Sequence, residues 1–298
     1  HTTLDTRFQQ KASEQTHLML KQAASKQVSQ AAVLAMETDG AIRAMIGGKD
    51  YRQTQFNRAV QAQRQAGSAY KLFIYLEALR QGYTPESRIS DAPIKIGKWQ
   101  PKNYNWVPKG EITLRSAFAY SINTASIRLG QKLGIKAINQ LASTLGINTH
   151  QPTDLSVLLG SGDTSLYDLT RSYACIANGG LKISPYGIEK ITTTEGKILY
   201  QRPKSKPQRV LSPAIAVTMV DLLKAVIQYG TGKAAQMPVL TAGKTGTTQL
   251  SRDAWFIGFA SRPSYVMGVW MGNDDMKPMD HVTGGTLPTQ LWKKIMSS

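Results

Sequence analysis

The sequence predicts an α+β fold: a central antiparallel sheet assembled from N- and C-terminal strands, with a helical lobe packed on it. Three observations carry this expectation. Strand-like runs stand near the start ("AAVLAM", "AIRAMIGG") and near the end ("VLTAGKTGTT", "AWFIGFAS", "YVMGVWMG"). Between them, helical periodicity dominates from Thr113 to Ala177. This segregation favours α+β over a doubly wound parallel sheet. With 298 residues, 41% hydrophobic and 18% charged, the chain is globular and long enough to bury a large core.

Taken in order, residues 4–30 read as a polar, Gln-rich helix leading into the body, so 1–30 is expected to be a linker and 31–298 the domain. Residues 31–36, the turn "ETDG" and residues 41–48 form strand, turn and strand. Residues 68–80 form an apolar helix broken only by Lys71 and Glu77. The next stretch, 83–111, is rich in Pro, Gly and Trp and lacks periodicity; surface excursions of that length are often functional. After the helical middle, "GIEKITTTEGKILYQR" reads as a hairpin turning at Glu195 and Gly196. Ser212 and Pro213 open another helix, the serine as N-cap and the proline in the first turn. Three strands follow, and "LPTQLWKKIM" closes the chain as a short amphipathic helix.

The formal net charge is +17, from 36 Lys and Arg against 19 Asp and Glu. Such a field favours anionic partners: nucleic acid, anionic lipid or a charged polymer. The densest basic run, "QRPKSKPQR" (201–209), is broken by proline and has no interleaved aromatics, so a nucleic-acid face is not expected. A cell-envelope location fits better. Cys175 is alone, which excludes an internal disulfide and a cysteine metal cluster; its apolar helical setting makes it a core residue. His1, His17, His150 and His281 show no ligand spacing, and neither metal nor cofactor is expected. No run of about eighteen apolar residues is present to span a membrane. The chain starts without Met and mid-pattern, and any signal or anchor is expected upstream.

The chemistry starts at "AGSAYK". Gly67 permits a sharp turn, and Ser68 opens the following helix near the positive end of its dipole. Lys71, three residues on, shares its face. A neutral lysine there takes the serine's proton, and neutrality requires burial or a neighbouring cation. Alone, the motif is as well read as an N-cap beside a lysine that snorkels to water. "SIN" at 121–123 places a hydroxyl and an amide at an inter-helix turn, although an isolated Ser-x-Asn also suits an N-cap. "GKTGTT" (243–248) opens a strand. There Gly246 admits a ligand backbone, and Lys244 offers a cation for a substrate carboxylate and for lowering the pKa of Lys71. A phosphate loop is the competing reading, but Pro238 stands where the Walker pattern needs glycine. Ser-x-x-Lys, Ser-x-Asn and Lys-Thr-Gly, each once and in this order, form the signature of penicillin-recognising serine enzymes.

With these motifs and the phrases "FNRA…RQAGS…K", "LRSAFAYSINTASIRLG", "DAWFIGF" and "VTGGTLP", nearly the whole chain resembles the transpeptidase domain of a class A penicillin-binding protein. It departs in having Leu72 after the motif lysine, where family members often have proline. The resemblance implies a penicillin-binding protein / serine β-lactamase-like fold and a serine D,D-transpeptidase that cross-links peptidoglycan stem peptides and is acylated by β-lactams. It makes Ser68 the nucleophile, Lys71 its base and Ser121 a proton carrier. Asn123 holds the substrate amide, while Lys244, Thr245 and Thr247, with Gly246 between them, hold the terminal carboxylate. The N–H groups of Ser68 and Thr247 form the oxyanion hole. It also implies an extracytoplasmic location at the bacterial membrane, with an anchor and a glycosyltransferase domain upstream in the parent chain. Rival readings on the same fold are a D,D-carboxypeptidase, a serine β-lactamase and a non-catalytic β-lactam sensor.

Overall fold

A Gln-rich helix, α1 (Thr6–Gln22), opens the chain, capped by Asp5, whose carboxylate accepts from the Phe8 N–H at 3.0 Å. The computed structural model describes residues 1–203 and 206–297, so Lys204 and Ser205 of the basic run lie outside the described residues. Strands β1 (Gln30–Glu37) and β2 (Ile42–Ile46) follow, then the two-residue strand β3 (Arg64–Gln65) and helix α2 (Lys71–Arg80). The excursion predicted over 83–111 is tied at its base by β4 (Arg88–Ser90) pairing with β5 (Glu111–Thr113). Helices α3 (Leu114–Ala119), α4 (Asn123–Leu133) and α5 (Ile135–Leu145) come next, then β6 (Asp163–Thr164) and α6 (Leu166–Ala177). The hairpin of β7 (Lys190–Thr192) and β8 (Ile198–Gln201) precedes α7 (Pro213–Gln228), which Ser212 caps. Strands β9 (Thr241–Thr247), β10 (Asp253–Ala260) and β11 (Tyr265–Gly272) and helix α8 (Leu287–Met296) complete the chain.

The main sheet runs β2-β1-β11-β10-β9, antiparallel throughout. Its two central strands come from opposite ends of the chain, Gln30 pairing with Gly272 and Glu37 with Tyr265. Every residue from Ala31 to Met36 is buried, because both faces of the sheet are covered. Strand periodicity sends Ala32, Leu34 and Met36 into one core and Ala31, Val33 and Ala35 into the other. The first core holds the helical lobe, with Leu72, Phe73, Phe118, Ile127 and Leu169. The second lies under α1 and α8, with Met19, Leu20, Trp292 and Ile295.

The segment 1–30 is therefore more than a tether. Ala12, Met19 and Leu20 of α1 are buried on the back of the sheet, and Thr2 bridges Ile188. Its polar composition concealed a narrow apolar stripe. Cys175 is buried in α6, and burial pushes its thiol up to about 12.

Candidate active site

Three sequence-distant pieces converge at the exposed edge of the sheet beside β9. The first is the turn before α2. Residues Gly67–Tyr70 form a 3-10 turn, so Ser68 stands on a tight turn that runs into the α-helix at Lys71. Gly67 has φ +52°, and a Cβ there would lie 2.5 Å from the Thr247 carbonyl oxygen. Glycine thus serves twice, giving a left-handed backbone and a close approach to β9. Gly246 answers it from the strand: a Cβ there would lie 2.7 Å from the Ala66 oxygen and 3.1 Å from the Ala69 Cβ. Its open face is filled by the serine's own turn. The absence of a Cβ at Gly246 thus serves the fit of the serine turn against the strand. The Tyr173 hydroxyl donates to the Ala69 carbonyl at 3.0 Å and the Trp255 indole to the Gln65 carbonyl at 2.9 Å, holding the turn from below.

Lys71 is fully buried. Its Nζ donates to the Ser121 carbonyl at 2.7 Å and to Asn123 Oδ1 at 2.6 Å, and lies 3.3 Å from Ser121 Oγ. The two short partners are acceptors only, and a neutral amine has two N–H groups, one for each. Its lone pair then stays available to a hydroxyl. Burial holds the Lys71 pKa well below the ordinary lysine value, and the nearby Lys244 charge lowers it further. Ser68 itself is half-buried, and its hydroxyl has no hydrogen bond among the described residues. The expected Ser68–Lys71 bond is thus absent here, because the amine is turned toward Ser121 and Asn123.

The second piece is the turn between α3 and α4. Ser121 has φ +57°, a costly conformation for a residue with a Cβ. It places the Ser121 hydroxyl between the two lysines. Asn123 opens α4 and donates through Nδ2 to the Lys102 carbonyl at 2.7 Å. Residue 124 extends this link, its N–H donating to Asn103 Oδ1 at 3.0 Å and its hydroxyl to the Asp91 carbonyl at 2.8 Å. The 83–111 excursion therefore braces the amide of Asn123. Asp91 organises that excursion, accepting from Trp106 Nε1 at 2.7 Å and from the Lys109 and Gly110 N–H groups. Burial works against its charge, yet these donors hold its carboxyl below the usual range.

The third piece is β9, the edge strand. Lys244, fully buried, donates to Ser121 Oγ at 2.9 Å and to the Thr245 carbonyl at 3.0 Å. Burial pushes its pKa down to about 7. Its Nζ lies 5.6 Å from the Phe118 ring centroid, a contact that favours the charged form. The Thr247 hydroxyl accepts from the Gly284 N–H at 2.9 Å, leaving its own hydrogen free to donate.

Of the residues singled out from sequence, Lys71, Ser121, Asn123 and Lys244 form one hydrogen-bonded cluster, with Ser68 and the 245–247 segment beside it. Sequence reasoning missed Asp91, Lys102 and Asn103. The dense "PKNYNW" stretch (101–106) was the only signal for the last two, and it named no partner.

The chain is similar to known proteins over nearly all of its length. The family model for the penicillin binding protein transpeptidase domain matches residues 30–297. Penicillin-binding protein 1A of Neisseria lactamica is 38% identical over 273 residues, covering 86% of this chain and 34% of that protein. The crystal structure of penicillin-binding protein 1A from Haemophilus influenzae superposes with a TM-score of 0.82 at 30% identity, over 90% of this chain and 47% of that one. The PonA1 protein from Mycobacterium tuberculosis in complex with penicillin V gives a TM-score of 0.88 at 25% identity, over 99% of this chain and 84% of that one. The chain thus spans about a third of the length of the curated relatives it matches.

Proposed function

The chain belongs to the penicillin-binding protein transpeptidase domain family, on its class A side, and from that premise we propose that it is a serine D,D-transpeptidase. The Ser68 hydroxyl attacks the carbonyl of the penultimate D-Ala of a peptidoglycan stem peptide. Its proton passes to Lys71, and Ser121 returns a proton to the departing D-Ala nitrogen. Lys244, Thr245 and Thr247 hold the terminal carboxylate, and Asn123 holds the substrate amide. The N–H groups of Ser68 and Thr247 receive the oxyanion, the interaction with most leverage on the barrier. An amine from a second stem then attacks the Ser68 ester, forming the cross-link and freeing the serine. An edge strand such as β9 suits an extended peptide, which adds its backbone as one more strand. β-Lactams imitate the donor and remain on Ser68.

One observation carries this reading: the buried Lys71 amine, held by two acceptors with its pKa lowered, three residues from a serine whose hydroxyl no group among the described residues engages. The reading includes an extracytoplasmic site at the bacterial membrane, within a longer parent chain bearing an anchor and a glycosyltransferase domain. Among the described residues no helix is long and apolar enough to cross a membrane.

Intact-mass measurement after addition of benzylpenicillin tests the proposal. A one-to-one adduct on Ser68 that persists for hours supports it. Rapid return to the free mass points to hydrolysis, and no adduct removes Ser68 as nucleophile. Incubation with stem peptides separates a transpeptidase from a sensor, since only the enzyme releases cross-linked product.

A further inference from the structure

We infer that Thr231 is a positioning residue of this site, one whose hydroxyl aims the Thr245 hydroxyl at a bound carboxylate. The inference rests on the function proposed above. Thr231 lies in "YGTGKAA" (229–235), just after α7. Its Oγ1 lies 2.6 Å from the Thr245 Oγ1. Its N–H donates to the Ala119 carbonyl at 3.1 Å, two residues before Ser121. Thr231 therefore spans the two walls of the site, the strand carrying Lys244 and the turn carrying Ser121.

Its neighbours fix it there. A Cβ on Gly230 would lie 2.2 Å from the Ala119 oxygen, and one on Gly285 would lie 2.6 Å from the Thr231 oxygen. Both glycines are close-approach positions that press the 229–231 turn between α3 and the loop before α8. The Tyr229 ring stands 5.9 Å from that of Tyr120, adding a contact to the same wall.

Each threonine hydroxyl has one hydrogen. For Thr245 to donate to an anion, it must accept from Thr231 rather than donate to it. The direction is then Thr231 O–H to Thr245 Oγ1, and Thr245 O–H to the carboxylate. A chain of this kind polarises the outer donor. Without Thr231, the Thr245 hydroxyl loses the partner that orients it, while its position in β9 is unaffected. Thr231 is itself exposed, so its side chain contributes little to the core.

The test compares acylation of the wild type, Thr231→Val and Thr231→Ser by benzylpenicillin and by its methyl ester, which has no anion at that position. Thr231→Val keeps the branched shape without the hydroxyl, and it should slow acylation by the free acid about tenfold, the loss expected for one hydrogen bond to a charged group. Acylation by the ester should be unchanged, and Thr231→Ser should restore the rate with the acid. The thermal midpoint should not move. Equal losses with acid and ester, or no loss with either, overturn the inference. So does a lowered midpoint in both Thr231→Val and Thr231→Ser. If the wild type is not acylated at Ser68, the proposed function fails first, and that result is read before any variant is compared.

Discussion

The Lys244 Nζ stands 2.9 Å from the Ser121 hydroxyl oxygen, although 123 residues separate them in sequence. On the other side of that oxygen, Lys71 Nζ approaches to 3.3 Å. Two buried amines sharing one hydroxyl cannot both keep full charge cheaply. The arrangement therefore sorts them, Lys71 toward the neutral form and Lys244 toward the charged one.

This sorting predicts a pH profile. On the proposed mechanism, acylation needs Lys71 neutral to take the Ser68 proton and Lys244 charged to hold a carboxylate. The second-order rate constant for acylation reports the free enzyme. It should fall as pH rises through about 7, where Lys244 loses its proton. In Lys244→Arg the guanidinium stays charged, and that falling limb should vanish even if the overall rate drops. Stopped-flow acylation by a chromogenic β-lactam between pH 5 and 10 reads the profile; an unchanged limb in the variant assigns it to another group.

The same depressed pKa sets a stability trend. Between about 7 and 10.5 the unfolded chain binds a proton at Lys244 that the folded chain does not, so stability rises with pH across that window. One proton contributes at most about 1.4 kcal/mol per pH unit. Lys244→Met should show a shallower rise by about that slope. Denaturant titrations at pH 7.5 and 9 check it, and equal slopes reject it.

Ser68→Ala should abolish labelling by a fluorescent penicillin. The hydroxyl makes no hydrogen bond among the described residues, so the thermal midpoint should stay within about 2 °C of wild type. Persistent label on a gel would move the nucleophile elsewhere.

Gly67→Ala tests the approach of the serine turn to β9. A Cβ there meets the Thr247 oxygen at 2.5 Å, on a backbone with positive φ. The variant should lose about 1–3 kcal/mol of stability, and misplacing Ser68 by about 1 Å should slow acylation on the order of a hundredfold. Wild-type acylation would show that the Gly67–Thr247 contact does not set the geometry.

Asp91→Ala leaves the Trp106 indole and two backbone N–H groups without their acceptor. A loss of about 1–3 kcal/mol is expected, together with protease cleavage within 92–110 and slower acylation, as Asn123 loses its brace. Unaltered proteolysis would separate the excursion from the site.

The sheet was legible in the sequence because strands buried on both faces read as short continuous apolar runs bounded by turn residues. Strand β11 occupies the expected residues 265–272 and α8 the expected 287–296. The chemistry-bearing motifs were legible because residue type and spacing carry them. What escaped has no local mark. The buried stripe of α1 is only Ala12, Thr16, Met19 and Leu20 in a polar helix, and Gly246 gave no hint that the serine's own turn fills its open face. The anchoring of Asn123 depends on a carbonyl of Lys102, and any residue there supplies one.

The pairing of β1 with β11 has a consequence for biogenesis. Strand β1 precedes β11 by more than two hundred residues and has no permanent neighbour on that side until residues 265–272 have been made. Contacts so distant in sequence form slowly. Until then β1 and its apolar faces present an open edge that invites association with other chains. A product halted before residue 265 would thus hold every serine and lysine of the pocket and still have no pocket. Its fate would be clearance or clumping, since β1 can complete its pairing only once residues 265–272 have followed.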